Sequence, residues 1–145
     1  MQKFAVLMLT VLLASGLLIA FLMYRQLGTE SVTLSGTPEL VATGNGAECG
    51  EISFSVGARS IGKWFFNVPK SKTITGTVTV GGGKGKDVGF SIWSPTNRVV
   101  LFEQDRTHEL DFEVVGTIRG DYRFDFDNRH SSFTDKKVTV SLCLF

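Results

Sequence analysis

Four residues near the C-terminus could, by type and spacing, form a hydrolytic site. His130 is followed by Ser131 and Ser132, and Asp127 lies shortly before it. A serine nucleophile needs a histidine base and a carboxylate that orients this base. Such a triad is assembled in space, however, and no strand-turn-helix elbow surrounds either serine. We therefore expect these to be loop residues and predict that the protein is not an enzyme.

Two other segments invite a ligand interpretation. Asp125 and Asp127 fall on one face of a strand, but calcium takes ~6–8 oxygen ligands, and the glycine and glutamate of a helical calcium loop are missing. The glycine-rich segment 81–86 fails the phosphate-loop pattern, because Asp87 stands where Ser or Thr is needed. We expect a hairpin loop there, with contact between its lysines and anionic lipid headgroups as the alternative. Neither a metal nor a cofactor is predicted.

Aromatic side chains are better candidates for a functional surface. Phe65 and Trp93 are out of phase with the apolar positions of their strands, and Phe133 lies in a polar loop. Apolar side chains on a surface often mark the site of a partner. The alternative is that Phe65 or Trp93 covers a sheet edge or packs on the preceding segment. Together with the loop residues Arg129 and His130, these aromatics form the predicted contact surface.

Alternation of apolar and polar residues predicts the elements that hold these residues. Tyr122, Phe124 and Phe126 fall on one face of a strand, since the side-chain period of a strand is two. Other segments alternate in the same way at roughly 10-residue spacing, which is typical of sandwiches. The sequence therefore predicts an all-β fold, an antiparallel eight-stranded β-sandwich or jelly roll. The predicted strands are 52–56, 64–68, 73–80, 88–92, 99–104, 110–114, 120–127 and 138–144.

The N-terminal part of the 145-residue chain has a different composition. No residue from Phe4 to Tyr24 is charged, and a helix rising ~1.5 Å per residue would cover the ~30 Å of a hydrocarbon core. We predict an uncleaved anchor over residues 1–25 that holds the chain in a membrane by residues 4–24. A cleaved signal peptide and a secreted domain are the alternative. The flanking basic residues weakly favour a domain outside the cytoplasm.

Beyond the anchor, composition predicts two further parts. Glycines among Ser and Thr over residues 26–50 predict a flexible stalk, and residues 51–145 form the predicted domain. The chain has 15 basic and 14 acidic residues, so nucleic acid is not expected as a partner. Cys49 and Cys143 bracket the domain, and outside the cytoplasm they could form a disulfide. Two partly buried thiols are the alternative; the spacing does not fit a zinc site.

Several motifs resemble those of a known family. The segment Gly120–Val140 has the order G-x-Y-x-F-x-F-D-N, S-x-F, K-x-V, and Asp87 begins a D-V-x-F-x-I strand after the glycine loop. These motifs, with Trp64–Val68 and the following Pro69, resemble the GOLD (Golgi-dynamics) domain, a β-sandwich of eukaryotic vesicle cargo receptors with looser prokaryotic relatives. The resemblance covers roughly residues 51–144. A small jelly roll appended to secreted bacterial peptidases shares some of these motifs but not the F-D-N and K-x-V ending.

The resemblance implies the fold but not the receptor role. The cargo receptors have a cysteine in the aromatic strand where this chain has Asp125, so their intradomain disulfide cannot form here. They also carry a coiled coil and a C-terminal membrane helix, whereas the apolar segment of this chain is N-terminal. We therefore predict a membrane-anchored, non-catalytic binding or adaptor module with a protein partner. Recognition of a glycan or a lipid headgroup, through Trp93, the glycine loop and the acidic strand, is the alternative.

Overall fold

The described part of the chain is built from strands alone. The computed structural model describes residues 30–83, 85 and 87–145, so the predicted anchor, residues 26–29, Lys84 and Lys86 lie outside it. Within these residues no helix is long and apolar enough to span a membrane. The strands are β1 (Glu30–Thr33), β2 (Val41–Ala42), β3 (Glu48–Val56), β4 (Ser60–Val68), β5 (Thr73–Gly81), β6 (Val88–Trp93), β7 (Val100–Thr107), β8 (Glu109–Val115), β9 (Gly120–Asp127) and β10 (Lys136–Leu144).

These strands form two five-stranded sheets. The first sheet has the order β1-β4-β9-β6-β7, and the second has the order β2-β3-β10-β5-β8. Every strand pair is antiparallel except β1 and β4, which are parallel. The predicted all-β sandwich is confirmed. The predicted strand number is too low, because β1 and β2 add to the eight strands that alternation identifies.

The core lies between the sheets because each long strand turns its alternate apolar residues inward. Tyr122, Phe124 and Phe126 of β9 are all buried, as their spacing predicts. Rings from neighbouring strands are in contact, with centroids 5.0 Å apart for Trp64 and Phe124 and 5.4 Å apart for Phe90 and Phe126. The remaining positions of each strand point to solvent. Each sheet therefore has an outer face, and the pairing register decides which of its side chains are neighbours.

Residues 30–50 pack on the sandwich, and the prediction of a flexible stalk is wrong for this part of 26–50. β1 extends the first sheet at β4, and β2 extends the second sheet at β3. Between them the indole nitrogen of Trp64 donates a hydrogen bond to the carbonyl of Gly36, at 2.9 Å. Leu34 and Leu40 pack against the core. The sequence does not predict these contacts, because the apolar residues of a segment that crosses from one sheet to the other do not alternate with polar ones.

Pairing also defines the two ends of the sandwich. Glu30 is opposite Ser60 in the first sheet, and Val56 is opposite Lys136 in the second. The loops 57–59 and 128–135, and the described residues of 82–87, therefore lie at the end where β1 begins, which we call the entry end. The C-terminal residue Phe145 follows β10 at the opposite end, the far end.

Candidate functional site

The structure divides the five predicted contact residues between two places. Phe65 and Trp93 lie on the outer face of the first sheet, within β4 and β6. Arg129, His130 and Phe133 lie in the loop that joins β9 to β10 at the entry end. The predicted contact residues therefore lie in two parts of the molecule, which meet where Trp93 and Arg129 line the same trough.

On the sheet face, aromatic and basic side chains form a row across neighbouring strands. Arg123 is opposite Phe65 in the β4–β9 pair and opposite Trp93 in the β6–β9 pair. Trp93 in turn is opposite Val100 of the edge strand β7. The guanidinium carbon of Arg123 lies 4.5 Å from the ring centroid of Trp93, which is within the range of a cation–π interaction. We call these four residues the Trp93 row.

The Trp93 row leaves apolar surface in water at both of its ends. Phe65 is 39% exposed and Val100 is 38% exposed. The sequence suggested Phe65 and Trp93 as contact residues but did not suggest Arg123. In the sequence, Arg123 is marked only by its outward position in the aromatic strand. Its place between Phe65 and Trp93 follows from the register of β4, β9 and β6.

An acidic trough adjoins the Trp93 row on the same face. The outward positions of β6 beyond Trp93 are occupied by Gly89 and Ser91, and these small residues lower the surface between β9 and β7. The trough has a volume of about 370 Å³, and Arg129 also contributes to its lining. Its carboxylates come from β7 and β9: Glu103, Asp105, Asp125 and Asp127.

Asp125 links the trough to the Trp93 row. Its Oδ1 atom lies 2.9 Å from Nε of Arg123, and the two side chains are only 14% and 17% exposed. Neither of these two atoms has an aligned hydrogen-bond partner. Burial raises the pKa of Asp125, and the attraction of Arg123 and Lys63 does not offset this effect. The fold therefore holds a carboxylate here in a site that disfavours its charge.

At the entry end, Arg106, Arg129 and His130 each contact a carboxylate. Arg129 forms bidentate hydrogen bonds with Asp127. Burial tends to raise the pKa of Asp127, but the hydrogen bonds and the positive charge of Arg129 have a larger combined effect, so the pKa of Asp127 is lowered. Nε2 of His130 lies 3.4 Å from Asp87, which also pairs with Arg106 at 2.8 Å. Burial tends to raise the pKa of Asp87 as well, but Arg106 and His130 lower it.

The hydrolytic arrangement considered from the sequence is not assembled. His130 is directed at Asp87, whereas the hydroxyl of Ser131 donates to the carbonyl of Thr134, at 2.9 Å. Among the described residues, no group of three His, Cys, Asp or Glu side chains is placed to hold a metal ion.

The outer face of the second sheet differs in chemistry. Cys49 and Cys143 are opposite each other in the β3–β10 pair and form a disulfide, with Sγ atoms 2.04 Å apart. Beside them, Thr77 donates to Asp111 at 2.6 Å and Ser141 donates to Glu51 at 2.8 Å. A wide groove of about 830 Å³ follows these rows. Because its hydroxyls already bond neighbouring carboxylates, this face is a weaker candidate for binding than the first sheet.

Comparison with known proteins now decides the family. The model of the emp24/gp25L/p24 family/GOLD matches residues 51–144, which is more than half of the chain. The chain belongs to this family. The GOLD match confirms the resemblance drawn from the motifs, in preference to the peptidase-associated jelly roll.

Curated GOLD relatives are longer than this chain. The mouse protein "Transmembrane emp24 domain-containing protein 1" is 28% identical over 131 residues, which is 90% of this chain and 54% of the relative. The chain thus spans about half the length of this relative.

Among solved structures, several chains match with low sequence identity. The periplasmic inhibitor of g-type lysozyme, PliG, from Aeromonas hydrophila matches with a TM-score of 0.48 and 14% identity, over 79% of this chain and 97% of its own. The pre-peptidase C-terminal domain of a Bacillus anthracis collagenase matches with a TM-score of 0.44 and 16% identity, over 79% of this chain and 93% of its own. Neither similarity bears on function.

Proposed function

We propose that this GOLD-family protein is a membrane-anchored, non-catalytic adaptor that binds a protein partner on the outer face of its first sheet. The observation that carries the proposal is the Trp93 row. Arg123 is held over the indole of Trp93, between the exposed side chains of Phe65 and Val100. Aromatic residues and arginine are the types enriched at the centres of protein interfaces, where they contribute most of the binding energy.

The acidic trough specifies the chemistry of the partner. Two of the carboxylates that line it, Asp125 and Asp127, already pair with arginines, so a lysine or arginine of the partner would gain its charge-assisted hydrogen bonds from Glu103 and Asp105. The partner surface that fits is therefore an apolar patch with a basic side chain beside it. Such a surface would cover Phe65 and Val100 while its basic group enters the trough.

Glycan recognition by Trp93 is a less suitable function for this face. A sugar ring stacks on an open aromatic face, but Arg123 already lies over the ring of Trp93 at 4.5 Å. Removing the guanidinium would also separate it from Asp125, at 2.9 Å. A protein partner, in contrast, can use the Trp93 row as it stands.

Membrane anchoring by residues 4–24 is the second part of the proposal. Its support is the uncharged segment Phe4–Tyr24 and the printed name of the relatives, which describes transmembrane proteins. In this arrangement residues 1–25 anchor the chain, and the sandwich is displayed outside the cytoplasm.

The test is crosslinking of the full-length chain to its partner in native membranes. Phe65→Ser removes one end of the Trp93 row, and Glu103→Lys reverses a charge in the trough; both should abolish the crosslinked product. The matched controls are Val115→Ser and Glu109→Lys, on the outer face of the second sheet. Both should retain the crosslinked product. Equal yields from all four variants would refute the proposed surface. Binding of the wild-type chain only to glycans or protein-free vesicles would refute the adaptor function.

A further inference from the structure

One apolar side chain of the entry end is exposed to an unusual degree. Phe133 is 90% exposed, more than any other large hydrophobic residue in the described part of the chain. Scattered exposed apolar residues are common on proteins, so exposure alone does not identify a site. The position of Phe133 in the molecule is what gives its exposure a meaning.

Phe133 lies at the end of the sandwich where the chain arrives from the proposed anchor. β1 begins at Glu30, opposite Ser60, and Ser60 is next to the loop of Phe133 through the hydrogen bond from Asn128 N to Ser60 O, at 3.0 Å. Only residues 25–29 separate the apolar segment from β1. The six residue steps from Tyr24 to Glu30 can span at most about 20–22 Å. The entry end must therefore stay close to the membrane surface, whereas the far end is a strand length away.

The loop holds Phe133 outward between two fixed residues. On one side, Arg59 N donates to the carbonyl of Ser131 at 2.9 Å. On the other side, the carbonyl of Thr134 accepts hydrogen bonds from Ser131 Oγ at 2.9 Å and from Asn128 Nδ2 at 3.0 Å. Because Ser131 and Thr134, which flank the tip of the loop, are both held, little backbone conformational entropy remains to be lost when the ring is buried against another surface.

Charge does not explain what the tip contacts. Arg129 is paired with Asp127, and His130 is paired with Asp87. What the described β9–β10 loop offers for a contact is therefore the ring of Phe133 beside polar residues, and phenylalanine is one of the side chains that bury in the interface of a bilayer. A single ring binds a bilayer weakly, but a short tether gives it an effective concentration on the order of millimolar.

We infer that Phe133 inserts into the headgroup region of the bilayer in which the chain is anchored. The entry end then rests on the membrane, and the Trp93 row, which lies further along β4 and β6, is held above it. This inference rests on the anchoring by residues 4–24 in the proposed function, but it does not depend on the identity of the protein partner.

The test places a tryptophan at each end of the full-length chain in phosphatidylcholine vesicles. Phe133→Trp reports on the entry end. Val41→Trp is the matched control, since Val41 is 62% exposed and lies in β2 at the far end. Fluorescence of the unsubstituted chain, which contains Trp64 and Trp93, is subtracted. In vesicles that contain brominated lipids, Phe133→Trp should show a blue-shifted emission and a loss of intensity, and Val41→Trp should show neither.

Two results would overturn the inference. One is an unquenched indole in Phe133→Trp; the other is equal quenching of both variants, since that would mean contact without preference for the entry end. The anchor is checked in the same samples by flotation after alkaline extraction. A chain that does not float with the vesicles removes the anchor and this inference together. The crosslinking of Phe65→Ser is a separate measurement, so a failure of the adaptor function can be distinguished from a failure of the membrane contact by Phe133.

Discussion

The side-chain nitrogen of Asn128 donates a hydrogen bond to the carbonyl oxygen of Val56, 3.1 Å away and 72 residues earlier in the chain. The same nitrogen lies 3.0 Å from the carbonyl oxygens of Gly57 and Thr134. Asn128 is fully buried. One amide therefore joins the end of β3, the following turn and the β9–β10 loop, which gives a physical reason for the F-D-N motif.

Asn128→Ala should destabilise the sandwich by about 2–3 kcal/mol, because the buried carbonyl of Val56 and the partly buried carbonyls of Gly57 and Thr134 lose their donor. The free energy of unfolding is measured by urea denaturation. Asn67→Ala is the control: Asn67 also donates a side-chain hydrogen bond, to Asp121, but on the exposed surface. Its loss should be below about 1 kcal/mol. Equal losses in the two variants would contradict the role of Asn128.

Asp125→Asn should increase stability at neutral pH. Burial raises the pKa of Asp125 in the folded state, so the stability that depends on its protonated form is complete below the unfolded pKa, about 3.9, and is lost as the pH rises through the folded pKa. The amide has no such loss. The two proteins should therefore be equally stable below about pH 4, and the variant should be more stable at pH 7.

Thermal denaturation over this pH range measures the effect. Glu109→Gln, which replaces an exposed carboxylate on the other sheet, is the matched control. A destabilised Asp125→Asn at pH 7 would mean that the ion pair with Arg123 outweighs the cost of burying the carboxylate.

The sequence predicts the parts of this fold that follow a period. Alternation in β9 and β10 identifies which side chains are buried, because a strand with one face in the core must repeat every second residue. Segments without a period give no such signal. Leu34 and Leu40 belong to a stretch that crosses from one sheet to the other, so no alternation marks their packing.

The candidate site shows a second limit. Phe65 and Trp93 could be selected from the sequence as out-of-phase aromatics, but Arg123 could not. Its position between them depends on the register of β4, β9 and β6, which is set by contacts distant in the chain. The separation of Phe133 from this row likewise depends on which strand ends meet, a property of topology rather than of local sequence.

The disulfide between Cys49 and Cys143 should contribute strongly to stability. It closes a sequence separation of 94 residues, and on the chain-entropy model such a link is worth about 4–5 kcal/mol. Replacing both cysteines by serine should therefore lower the urea midpoint. Adding a reductant should lower the midpoint of the wild-type chain and leave that of the double variant unchanged. Two free thiols in the mass spectrum of non-reduced protein would contradict the disulfide.

Leu34→Ser should destabilise the sandwich, although it lies in a segment whose composition is that of a spacer. The side chain of Leu34 packs against the core and fills the space above Gly62, where an added Cβ would lie 2.8 Å from its Cδ1 atom. Removing this contact and placing a hydroxyl there should cost about 2–4 kcal/mol. Val32→Ser is the control in the same segment, since Val32 is exposed; it should change the stability by less than about 0.5 kcal/mol. Urea denaturation of the two variants separates the possibilities, because a stalk outside the fold would leave both as stable as the wild type.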